Sequence, residues 1–178
     1  MHFTLHEHPG GVETAYGNRV VYDLDRNAAW FGAAVVAGPA LLWELEGEWR
    51  GAVLAADVKL DRGHEWIARC DRVDFPPGGV AYRHVHPGPG IRRLLFGELA
   101  IDRGHGPRTY RAGEAWFEDA DEPVLATASA DEPTAFVRVL LLPTEWATQR
   151  TIRYLDPADE EKPKLQRAEI LLEEGLEL

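Results

Sequence analysis

From Gly78 to Gly97 the chain reads Gly-Gly-Val-Ala-Tyr-Arg-His-Val-His-Pro-Gly-Pro-Gly-Ile-Arg-Arg-Leu-Leu-Phe-Gly. Pro76-Pro77-Gly78-Gly79 closes the segment before it, and Pro87-Gly88-Pro89-Gly90 divides it. Neither tetrapeptide continues a β-ladder, because proline lacks the N–H and glycine has no side chain to pack. Val80–His86 and Ile91–Ile101 therefore read as two strands flanked by turns. Within the first, His84 and His86 lie two residues apart, which puts both imidazoles on one face together with Tyr82. Arg83 and Val85 then point the other way. In a closed sheet the histidine face is the interior, and neutral imidazole is the commonest metal ligand among side chains.

Working outward, short apolar runs recur with turn residues between them. Trp66–Phe75 precedes the stretch, and Thr109–Phe117, Val124–Ser129 and Thr134–Leu142 follow it. Asn18–Leu24, Ala33–Val36, Leu41–Leu45 and Gly51–Leu60 lie upstream. Many short strands at regular spacing predict an all-β fold, a sandwich or barrel. The organisation expected is one domain over 1–178. It has an N-terminal strand extension (1–59), a barrel core (60–143) and a C-terminal tail (144–178). In that tail Leu165, Ala168 and Leu171/Leu172 fall at helical spacing before Gly175, which predicts a short helix over Lys164–Glu174.

The quoted stretch resembles the first signature of the cupin superfamily, G-x5-H-x-H-x3-4-E-x6-G. Gly78, His84, His86 and Gly97 match it in register. Arg111–Phe117 resembles the opening of the second signature, G-x5-P-x-G-x2-H-x3-N, through Gly113. The resemblance covers about residues 66 to 142. It implies a jelly-roll-type antiparallel β-barrel, with any metal held near one mouth by His84 and His86. The departures are specific. The family's glutamate falls on Gly90, and counting from Gly113 its third histidine falls on Val124. Two of four expected ligands remain, whereas metal sites usually use three or more.

Strand alternation from Gly90 points Arg92, Leu94 and Phe96 inward. A guanidinium beside two imidazoles repels a cation but suits a carboxylate, which it grips bidentately. Tyr82 and Arg92 are thus the candidate substrate-binding residues, and His84 and His86 the candidate metal ligands, for zinc, manganese, iron or nickel. Glu114 and Glu118, on the strand before Val124, read first as ordinary solvent-facing charges, with one of them as the alternative source of an oxygen ligand. No serine or cysteine nucleophile motif and no phosphate-binding loop is present. Catalytic residues are not identified.

Composition narrows the partners. Lys plus Arg is 19 against Asp plus Glu at 30, a net charge of −11, the opposite of what a phosphate-backbone binder needs. The longest apolar run, Trp30–Trp43, is too short to span a bilayer. One cysteine, Cys70, suits a reducing cytoplasm. The expectation is a cytoplasmic homodimer whose barrel binds a small molecule, an organic acid, over a partial metal site. The alternatives are a metal-dependent oxygenase, isomerase or decarboxylase with non-standard ligands, and a non-catalytic assembly protein.

Overall fold

Turn residues cut the N-terminal third into seven short strands. In the computed structural model, which describes residues 1–178, these are β1 (His2–His8), β2 (Val12–Thr14), β3 (Arg19–Asp23), β4 (Ala28–Phe31), β5 (Ala34–Val36), β6 (Ala40–Leu45) and β7 (Leu54–Asp57). Eight follow from the middle of the chain: β8 (Trp66–Phe75), β9 (Val80–Val85), β10 (Gly90–Phe96), β11 (Glu98–Asp102), β12 (Pro107–Arg111), β13 (Ala115–Glu118), β14 (Val124–Ala128) and β15 (Thr134–Pro143). The C-terminal part adds β16 (Arg153–Tyr154), one helical turn α1 (Pro157–Glu160) and β17 (Arg167–Gly175). No helix is long and apolar enough to cross a membrane.

Every ladder is antiparallel. Two five-stranded sheets, ordered β13-β10-β15-β8-β17 and β12-β11-β14-β9-β16, form the barrel. A third, β4-β3-β6-β1-β7, covers the outer face of the first, and β2 and β5 make a small ribbon. The first barrel sheet is therefore buried on both faces, which explains why β15 is apolar almost throughout, with Arg138 its one charged residue. Its outward residues Cys70, Ile91, Val137 and Val139 pack against Phe3, Leu5, Leu41 and Trp43 of the N-terminal sheet. The Trp43 indole N–H donates to the Ile91 carbonyl at 3.2 Å, tying the two sheets together. Burial pushes the Cys70 thiol well above its ordinary range, so it serves as a small core residue and not a nucleophile. The inward face packs Phe75, Leu94, Trp116 and Phe136 with Ala81, Val124 and Ala126 of the second sheet.

The C-terminal helix expected over Lys164–Glu174 is a strand instead. β17 pairs with β8 from Arg167↔Asp74 to Gly175↔Ile67. An isolated helix of that length is marginal, while the ten-residue edge of β8 offers a row of unpaired backbone groups for it to satisfy. The ladder slips between Ile170 and Leu172, and this bulge interrupts the period-2 pattern that would have signalled a strand.

Candidate functional site

Two local irregularities decide what faces the barrel interior. On β9 the register against β14 runs Val124↔His84, then Ala126↔Ala81, so β9 carries one extra residue. That bulge turns Tyr82 off the face it is expected to share with His84; Ala81 lines the interior instead. The Tyr82 ring lies under the Lys162 ammonium, 4.5 Å away, while its carbonyl accepts a 2.6 Å hydrogen bond from Nδ1 of His84. On β10 alternation holds for Gly90, Arg92 and Leu94. A register shift after Leu94 then turns Phe96 outward, where it is 41% exposed.

The interior face of β8 carries Arg69, Asp71, Val73 and Phe75, and together with the other strands it encloses a cavity of about 330 Å³. His84, His86 and Arg92 all line it and all are buried. The two imidazoles stand edge to face, 5.0 Å between ring centres. They are not equivalent. His84 spends Nδ1 on the Tyr82 carbonyl and has no partner at Nε2. Nε2 of His86 accepts from Arg138 at 3.1 Å, and its Nδ1 is 3.2 Å from the Thr151 hydroxyl. With both nitrogens engaged, His86 is held as a neutral ring in one tautomer.

Arg138 is in turn held by Asp71, whose Oδ2 accepts from Nε at 3.0 Å and from Nη2 at 2.8 Å. The second Asp71 oxygen is buried with no partner. Arg92 donates to the Gly90 carbonyl at 2.6 Å, and its other terminal nitrogen lies 2.6 Å from Glu118. Glu118 also accepts from the Trp116 indole at 2.8 Å. Arg69 pairs with Glu173 and donates to the carbonyls of Gln149 and Trp146 at 2.8 and 2.6 Å. It thereby fastens the segment 146–151 and β17 over one side of the cavity. Tyr154, Gln166, Ala168 and Ile170 complete that wall.

Burial lowers the pKa of His84 to about 4, against a partial opposing pull from Glu118. Burial and then the charge of Arg138 drive His86 well below the ordinary imidazole range. Both rings are neutral at pH 7. Burial also brings Arg92 down to about 10, where it is still charged. For Glu118 burial pushes upward, but Arg92, the Trp116 N–H and His84 outweigh it and hold the carboxyl below its usual range.

A divalent metal does not fit this donor set. Nε2 of His86 is occupied by a guanidinium, and Glu118 is committed to Arg92 and Trp116. No group of three or more His, Cys, Asp and Glu side chains gathers where it could hold an ion. Two arginines beside the histidine pair add repulsion to a cation. The expected ligand role of His84 and His86 meets that obstacle: they come together inside the barrel, but in a setting that engages one of them and disfavours a metal at both.

Sequence reasoning misses Arg138, Asp71 and Arg69. A signal exists for each, since Arg138 is the lone charge in an apolar run and Arg69 and Asp71 alternate in phase with Val73 and Phe75. Glu118, which the sequence suggests is a solvent-facing charge or else an oxygen ligand, is buried as the counter-ion of Arg92.

No protein-family model and no curated protein matches the chain. Among solved structures it is similar to an RmlC-like cupin from Shewanella frigidimarina, at 18% identity and a TM-score of 0.39 over 46% of this chain and 70% of that one. A cupin domain from Bordetella pertussis is similar at 19% identity and a TM-score of 0.37, covering 48% of this chain and 88% of that one. An oxalate oxidase in complex with the substrate analogue glycolate is similar at 18% and 0.41, covering 85% and 87%. Such scores say nothing of substrate or reaction. The strand order and the signature positions are this chain's own: the fold is an antiparallel β-barrel of two five-stranded sheets with the histidine pair inside, and Gly90 and Val124 stand at the positions on which the resembled signature's glutamate and third histidine fall.

Proposed function

We propose that the barrel binds a small organic acid, without needing a resident metal. The observation that carries this reading is Arg138 seated on Nε2 of His86: a fixed cation occupies the nitrogen through which a metal would be held. The charge of the lining supports it. Arg69, Arg92, Arg138, Arg150 and Lys164 line the cavity against Asp71 and Glu118, in a chain whose net charge is −11. Glu173 and Glu160, which pair with Arg69 and Arg150, stand outside the lining. An acid entering the cavity meets guanidinium groups whose geometry suits a carboxylate. Neutral His84, with Nε2 free, accepts a hydrogen bond from a hydroxyl or other donor on the ligand.

The test is calorimetric titration with small carboxylates and, separately, with zinc and manganese. Carboxylate binding that is lost in Arg92→Ala supports the reading. Submicromolar metal binding abolished by His84→Ala and His86→Ala would replace it with the metal-dependent alternative. Self-association into a homodimer belongs to the same proposal. It rests on the outer edge of β17 and on Leu165, which is 53% exposed beside it. Sedimentation at micromolar concentration decides it.

A further inference from the structure

The ladders sort the cavity lining by chemistry along the barrel axis. One row of cross-strand neighbours runs Asp71↔Arg138↔Arg92↔Trp116 through β8, β15, β10 and β13. The row on its one side holds Arg69 and, across Gly90, Glu118. On its other side the row is Val73↔Phe136↔Leu94, with Phe75 beyond. The facing sheet is sorted the same way, since His84 and His86 lie toward the polar rows and the pair Ala81↔Ala126 follows after the bulge. Arg138 bonded to His86 shows that the polar ends of the two sheets face each other. The cavity thus has a charged end and an apolar end, not a charged lining throughout.

Size adds a second constraint. A void of about 150 Å³ lined by apolar side chains takes up benzene, and this cavity is about 330 Å³. There is room for one ring or a branched chain together with its acid group. Two alanines oppose each other at the apolar end, where their side chains fill little of the space between the strands. Both are buried and both line the cavity.

We propose that the cavity selects monocarboxylic acids with an apolar, ring-sized body, and that Ala81 and Ala126 set the size of body it accepts. A di- or tricarboxylic acid of equal size would place an ionised group against Val73, Phe75 and Phe136, whose side chains offer it no donor. That group would lose its hydration without compensation. The inference rests on the acid-binding reading given above and goes beyond it to the class of acid.

The experiment is titration calorimetry on the full chain with benzoate, isovalerate, acetate, succinate and citrate, and with benzamide as the uncharged counterpart of benzoate. The result expected is that benzoate and isovalerate bind at least tenfold more tightly than succinate and citrate, and benzoate at least tenfold more tightly than benzamide. Ala126→Phe fills the apolar end, and the expected loss is tenfold or more for benzoate with acetate unchanged. Ala126→Val, a smaller change, gives an intermediate loss if the larger one unfolds the barrel. Succinate or citrate binding as tightly as benzoate overturns the inference while leaving the acid-binding reading intact, and so does benzoate binding that both variants leave unchanged. Benzamide equal to benzoate, or no carboxylate bound at all, overturns the acid-binding reading itself and this inference with it.

Discussion

Glu118 is the cross-strand neighbour of Gly90 in the β10–β13 ladder. A carboxylate thus enters the barrel interior from the adjacent strand, opposite the position on which the resembled signature's glutamate falls. The space at Gly90 is already used. A Cβ there would lie 2.6 Å from the Leu140 side chain, 2.7 Å from the Val139 carbonyl and 3.0 Å from Arg92. Gly90→Glu therefore does not rebuild a metal site. The expected outcome is a loss of about 2–4 kcal/mol from overpacking and an added buried charge, with no gain in zinc affinity. Denaturant melts and zinc titration of the variant check this together.

Acidification should weaken the fold through the histidines. The folded pKa of His84, about 4, lies below the ~6.5 of an unfolded chain. Between those values the unfolded state takes up a proton that the barrel refuses, so stability is full above the window and falls as pH drops through it. The His84 contribution lost from pH 7.5 to 5 is about 2 kcal/mol, and His86, shifted in the same direction, adds to the slope. Glu118 has a dependence of the same sign in a more acid window: its lowered pKa contributes stability that is lost only as pH falls below the ordinary carboxylate range. Urea melts between pH 7.5 and 5 should show a shallower slope for His84→Gln than for the wild type. An identical slope would refute the assignment.

Asp71 and Arg138 form a buried ion pair, their side chains 2% and 8% exposed. Removing one partner strands the other charge, and Arg138→Met should cost about 3–5 kcal/mol. Asp71→Asn combined with Arg138→Met removes both charges and should recover a substantial part of that loss. A double-mutant cycle by chemical denaturation measures the coupling; additive losses would mean that the pair is not a unit.

Glu173 should act at a distance from its own strand. It pairs with Arg69 and accepts from the backbone N–H of Thr148 at 3.0 Å. Glu173→Ala should cost about 2 kcal/mol, less than a fully sealed pair, because Arg69 keeps two carbonyl partners. Hydrogen exchange should accelerate at residues 146–151 and along β17 while β10 and β13 stay protected.

Much of this was legible in the chain before its structure. Proline–glycine breaks and period-2 runs marked the strands from Trp66 to Leu142, and the signature spacing put His84, His86 and Arg92 inside. Three of the readings that failed share one physical cause, the single-residue bulge. One bulge moved Tyr82 away from His84, another turned Phe96 to solvent, and a third disguised β17 as a helix. Pairing register is a tertiary property, and a one-residue slip reverses every side chain beyond it. Arg138 escaped differently: nothing local links it to His86, 52 residues away.

The lone charge of β15 has a second consequence, before the barrel exists. Thr134–Pro143 reads Thr-Ala-Phe-Val-Arg-Val-Leu-Leu-Leu-Pro; with an apolar residue at 138 it would be an uninterrupted β-prone segment, the kind that stacks into cross-β fibrils when exposed. Such runs are commonly broken by a charge that acts as a gatekeeper while the chain is still unfolded. Arg138 then protects the nascent chain from its own copies, and the same guanidinium later finds Asp71 and His86. Variants at this position should be lost to inclusion bodies out of proportion to their loss of stability.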